Sequence, residues 1–160
     1  MFHQLTTFLP LLLLTIPNLA LGGFTCGAKY FLKSANSDKY YTIIEASGLL
    51  VSTGTNRGWY QQFTSCRDSS WAPQFFVLKS EAMGSHYTRD AYLSKDEEGR
   101  FWATTDILTG NHLFEWAGGG NPYWGLVHAE TGGYLTAVGD GLVHLGPKNL
   151  GWDQAVWREN

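Results

Sequence analysis

Two short words in this chain carry side chains suited to recognition chemistry, Gly58-Trp59-Tyr60-Gln61 and Gly151-Trp152-Asp153-Gln154. A sugar ring presents apolar faces and a rim of hydroxyls. Its binding sites therefore combine a stacking aromatic with side chains that donate and accept hydrogen bonds. Trp59 with Gln61, and Trp152 with Asp153 and Gln154, offer that combination, and Asn121-Pro122-Tyr123-Trp124 adds a third cluster with Trp124 as its stacking candidate. The competing reading is that these rings cap a hydrophobic core. Catalytic chemistry finds less support. The chain has no Gly-x-Ser-x-Gly, no His-Glu-x-x-His and no P-loop, and no spacing suggests a carboxylate pair for glycoside hydrolysis. His86, His112, His128 and His144 are scattered. His128 and His144 would approach across a hairpin as a metal pair, but ordinary polar strand faces account for them better. A binding protein without enzymatic activity, cofactor or metal is expected.

Cys26 and Cys66 are the two cysteines. In a secreted chain an even pair reads as a disulfide, and no His stands at zinc-ligand spacing beside either. Secretion itself is read from the start of the chain. Phe8–Ile16 is a short apolar run, too short for the ~20 residues of a membrane helix, and Ala20-Leu21-Gly22 ends in small residues suited to cleavage. A leader over 1–22 and a domain over 23–160 follow, with no membrane span in the mature protein. The leader departs from the usual pattern in lacking Lys or Arg before its apolar run. The 11 basic and 14 acidic residues, formal net charge −3, lie in the rest of the chain, with Lys and Arg scattered singly. No basic stripe offers a nucleic-acid surface. Asp96-Glu97-Glu98 reads as a solvated hairpin tip.

The elements that must hold these residues repeat. Tyr41, Tyr92 and Tyr134 each precede a glycine by seven residues (Gly48, Gly99, Gly141), and Phe63, Phe114 and Val156 each lie fifteen residues beyond that glycine. Alternation, a glycine-rich reversal and renewed apolar residues mark a β-hairpin. Three copies, near 29–66, 74–116 and 123–158, predict twelve short strands and almost no helix. First strands centre on Leu32, Leu78 and Leu126. Third strands follow the glycines, and fourth strands are read in Gly58–Phe63, Gly110–Trp116 and Gly151–Val156. Linkers place Pro73 and Pro122 before the next first strand, where a missing amide hydrogen is tolerated. Units of this size cannot bury a core alone, so they must close on a common axis.

Such a chain resembles the β-trefoil, an all-β fold of three four-stranded repeats. Gly133-Tyr134-Leu135-Thr136-Ala137 and Asp140-Gly141-Leu142-Val143 further resemble the repeats of fascin-like domains. The trefoil resemblance implies that the first and fourth strands of unit one run side by side. Cys26 and Cys66 would then meet with Cα atoms ~4.4–6.8 Å apart. Fascins bundle actin in the cytoplasm with several trefoils, whereas this chain carries one trefoil behind a leader. Gln154-Ala155-Val156-Trp157 is one residue longer than the Gln-x-Trp of ricin-type lectins. The expected function is a secreted, non-enzymatic binding module, with an extracellular glycan as ligand. Alternatives are a signalling or inhibitory trefoil that binds a protein partner, and a fascin-like actin-binding protein.

Overall fold

The computed structural model describes residues 24–83, 89–105, 109–118, 123–139, 141–149 and 151–159. The leader 1–22, the second-unit turn at 84–86 and the linker 119–122 with Pro122 lie outside them. Twelve strands follow in order: β1 (Thr25–Ser34), β2 (Tyr40–Ile43), β3 (Leu50–Gly54), β4 (Gln62–Arg67), β5 (Val77–Ser80), β6 (Ala91–Lys95), β7 (Phe101–Thr104), β8 (Phe114–Gly118), β9 (Trp124–His128), β10 (Tyr134–Ala137), β11 (Val143–Gly146) and β12 (Val156–Glu159). A helical turn at 81–83 and three 3-10 turns complete the elements of the described residues.

Six strands form a closed barrel. β1 pairs β4, β4 pairs β5, β8 pairs β9, β9 pairs β12 and β12 returns to β1, all antiparallel. The remaining seam, β5 to β8, is closed by Phe76 and Phe114, which exchange backbone hydrogen bonds of 3.0 and 2.8 Å. The inward alternation of the strands stacks two layers. Leu32, Leu78 and Leu126 with Phe63, Phe114 and Val156 form the buried upper layer. Two residues earlier on the first strands stand Tyr30, Phe76 and Trp124, and two later on the fourth stand Ser65, Trp116 and Arg158.

Hairpins β2–β3, β6–β7 and β10–β11 cap the barrel. Gly48, Gly99 and Gly141 adopt φ of 74°, 78° and 88°, open to glycine at little cost. Each carbonyl then accepts a hydrogen bond from another hairpin: Gly48 from Ala103 N (2.8 Å), Gly99 from Leu145 N (2.7 Å) and Gly141 from Ser52 N (2.7 Å). The ring of three bonds locks the hairpins together. The chain is thus an all-β trefoil, as its repeats imply.

Register corrects three local expectations. Tyr40, not Tyr41, matches Tyr92 and Tyr134, since it faces Lys33 as they face Lys79 and Val127. Tyr41 corresponds to the core residues Leu93 and Leu135. The first hairpin carries one extra residue between its last pair, Ile43↔Leu50, than Lys95↔Phe101 or Ala137↔Val143. Counting back from the glycine therefore lands one position off. The words read as fourth strands open as 3-10 turns, Trp59–Gln61, Thr109–His112 and Trp152–Gln154, and only their last residues enter the strands, which start at Gln62, Phe114 and Val156. Asp96 is not merely a solvated tip. Its carboxylate accepts from Arg100 N (2.8 Å), Arg100 Nε (2.8 Å) and Trp102 Nε1 (2.7 Å) across the hairpin.

Cys26 and Cys66 are bonded. They face each other in the β1–β4 ladder with Cα atoms 4.0 Å apart, closer than the expected window.

Candidate functional site: an open aromatic cleft in the third unit

The Gly-Trp-x-Gln words are clamps with an outward ring. In unit one, Gln61 Nε2 donates to Thr42 Oγ1 (3.1 Å), which donates to the Tyr40 carbonyl (3.2 Å). In unit three, Gln154 Nε2 donates to Thr136 Oγ1 (3.1 Å), which donates to the Tyr134 carbonyl (3.1 Å). Gln154 also donates to the Pro147 carbonyl (2.6 Å) and accepts from Asn149 N (3.0 Å). The glycine lets the amide fold back, for a Cβ on Gly58 would lie 2.6 Å from Gln61 Oε1. With the glutamine anchored, the tryptophan two residues earlier is turned outward: Trp59 is 56% exposed and Trp152 61%. Unit two has Gly110 in the tryptophan place and buried His112 in the glutamine place.

The amides proposed as ligand partners are thus engaged internally, most fully at Gln154, which is 2% exposed. Asp153 also organises its own loop, accepting from Asn149 Nδ2 (3.3 Å). What the sequence does not disclose is a groove between first strand, second strand and 3-10 turn that recurs in each unit. Its floor is the tyrosine of the second strand, and its occupant is the residue two before the facing position: Phe31, Val77 or Gly125. In unit one the Phe31 ring meets Tyr40 edge-on at 6.1 Å, and the Arg57 guanidinium lies 5.4 Å above Phe31. Arg57 is held there by Glu159 at 2.5 Å, which also accepts from the Tyr40 hydroxyl (2.8 Å). In unit two Val77 and Tyr92 are covered by Phe24, Trp71 and Leu113.

In unit three Gly125 leaves the groove open. A Cβ there would fall 2.7 Å from Tyr134 Cε1, so the ring lies flush against backbone. The resulting cleft holds about 300 Å³ and is lined by Gly118, Tyr123, Trp124, Gly125, Tyr134, Gly151, Trp152, Gln154 and Ala155. Tyr123 meets Trp152 edge-on at 5.1 Å and braces against Trp157 at 5.3 Å, which fixes the outer wall. Trp124 is 43% exposed, although its counterparts Tyr30 and Phe76 are 4% and 6%. Of the residues singled out in the sequence, Trp124, Trp152 and Gln154 are brought together. Trp59 and Gln61 lie in unit one, where Lys29 Nζ stands 5.9 Å over the Trp59 ring. Tyr134 reads from sequence as a repeat marker, and Gly125 carries no signal at all.

Among the described residues no Asp, Glu, Lys, Arg, His or Cys lines the cleft. Among the described residues no group of three His, Cys, Asp or Glu could hold a metal. His144 stands half-buried on β11, His86 lies outside the described residues, and His128 is not a polar strand face. His112 and His128 are both buried, and His128 packs edge-on against Phe114 at 5.9 Å with Nδ1 3.0 Å from Thr131 Oγ1. No helix among the described residues is long and apolar enough to cross a membrane.

No protein-family model matches the chain, and no curated protein is found similar to it. Among solved structures it is similar to a designed 3-fold symmetric protein, ThreeFoil, with a TM-score of 0.70 and 16% identity over 82% of this chain and 98% of that one. At that identity the likeness establishes the fold, a threefold all-β trefoil.

Proposed function

We propose that the chain is a secreted, non-enzymatic binding module whose third-unit cleft takes a sugar. The observation that carries this reading is the asymmetry of the three grooves: two are filled by the chain's own side chains, and the third is open and walled by Trp152, Trp124 and Tyr123. Its volume lies at the lower end of the range for small-molecule sites, room for one or two rings. Exposed indole faces suit the apolar face of a pyranose, and the lining residues carry indole N–H, phenol and backbone groups for its hydroxyls. The described residues that line the cleft include no Asp, Glu, Lys, His or Cys, and this supports the binding reading. Secretion is supported by the apolar leader and by the Cys26–Cys66 bridge, which suits an oxidising compartment.

A glycan array followed by calorimetric titration of its hits tests the reading. Trp152→Ala should weaken binding at least tenfold while the thermal midpoint moves by no more than a few degrees, because the ring is mostly exposed. Trp59→Ala, in unit one, should leave the affinity unchanged. Unaltered affinity in Trp152→Ala would remove the cleft from consideration.

A further inference from the structure

Trp124 is a wall of two clefts. On one side lies the large aromatic cleft, and on the other a cavity of about 50 Å³ lined by Trp116, Trp124 and Arg158. The small cavity opens at the barrel mouth because unit three departs from its siblings there. Ser65, Trp116 and Arg158 occupy equivalent positions, two residues beyond the core on the three fourth strands, the first two half-buried and Arg158 exposed. The Arg158 guanidinium lies 5.6 Å over the Tyr30 ring and 5.9 Å over the Trp116 ring. Ring faces stabilise a cation and hold its plane, while the donor edge of the guanidinium remains available. Among the described residues no Asp or Glu forms an ion pair with it. The neighbouring Glu159 is engaged by Arg57 and Tyr40.

We infer that the ligand of the cleft is an anionic sugar, whose carboxylate or sulfate passes Trp124 to meet Arg158. This rests on the sugar-binding reading above and narrows it. The sizes divide the ligand accordingly. The larger cleft accommodates a ring, whereas about 50 Å³ exceeds the ~30 Å³ share of one water and suits a group of a few atoms. A planar guanidinium offers paired N–H donors to the two oxygens of such a group. The chain as a whole is acidic, with formal net charge −3, so a preference for anions must come from this local cation rather than from the overall field.

Calorimetric titration with matched disaccharides ending in glucose or galactose tests the inference, with the terminal C6 present as alcohol, carboxylate or sulfate ester. For the wild type an anionic member should bind at least tenfold tighter than its neutral partner at low salt. Whether carboxylate or sulfate gives the larger gain identifies the anion. Arg158→Gln, which keeps part of the stem, should abolish the preference with the neutral affinity unchanged, and Arg158→Lys should retain part of it. Equal affinity for neutral and anionic members would overturn the inference and leave the cleft intact as a sugar site. A loss of neutral and anionic binding together in Arg158→Gln, with an unchanged thermal midpoint, would also overturn it by making Arg158 a part of the scaffold. Failure of every member to bind the wild type would overturn both readings.

Discussion

At the scale of single residues, burial separates roles that the sequence presents alike. Gln154 and Trp152 belong to one word, yet the amide is anchored on Thr136 and Pro147 while the indole faces solvent. The histidines follow the same logic. Burial, the largest influence, pushes His128 below its ordinary value of 6.5, with Lys95 and His112 adding to it and contacts with Asn111 and Glu130 opposing. Between the depressed native value and 6.5 the unfolded chain binds this proton more readily, so acidification favours unfolding. Stability should be fully present above 6.5 and fall as the pH drops below it. The urea midpoint should decrease between pH 7.5 and 5.0, and His128→Gln should flatten that slope. Glu159 acts in a separate window. Burial alone would raise its carboxyl, but hydrogen bonds from Tyr40 and Arg57 and the charges of Arg57 and Lys33 together hold it below the ordinary 4.5. Its contribution is present above 4.5 and is lost only as the pH falls below that value.

At the scale of elements, the hairpin glycines do two tasks, and only one was legible. That Gly141 turns the chain follows from its place between alternating runs. That its carbonyl bonds Ser52 of another hairpin does not follow, because the partner lies far away in sequence. A side chain at 141 would combine a φ of 88° with a Cβ 2.5 Å from Thr53 Cγ2. Gly141→Ala should therefore cost about 1–3 kcal/mol by chemical denaturation. Gly139→Ala, two residues away with nothing within 4 Å, should be neutral to within about 0.5 kcal/mol. Equal effects would mean that the ring of hairpin bonds contributes little. The repeat words themselves are packing words. Tyr134, Leu135, Thr136 and Ala137 are all buried, which is why they announce the trefoil and say little about a ligand.

At the scale of the whole molecule, the barrel depends on closure between distant ends, β1 against both β4 and β12. The disulfide fastens one of these seams at its outer end and closes a loop of 40 residues. Restricting the unfolded chain by a loop of that length contributes on the order of 4 kcal/mol in the chain-entropy account. Replacing both cysteines by serine should lower the stability by about 2–4 kcal/mol in urea titrations while leaving the far-ultraviolet spectrum of the folded protein unchanged. No measurable loss would show that the β1–β4 ladder holds this seam without the bridge.

What the sequence determined alone is what nearest neighbours decide. Alternation of apolar residues, a glycine where φ turns positive and a period of similar hairpins are local properties, and three of them leave a closed trefoil as the way to bury their faces. The equivalence of Leu32, Leu78 and Leu126 followed from this, as did the meeting of Cys26 with Cys66. The choice of which groove stays open was decided only in the tertiary structure. It turns on Phe31, Val77 and Gly125, and on covers that come from far along the chain: Arg57 held by Glu159 over one groove, Phe24 and Trp71 over another. Exposure is a property of all the atoms that approach a side chain, and for these rings most of those atoms belong to other repeats or to the opposite end of the chain.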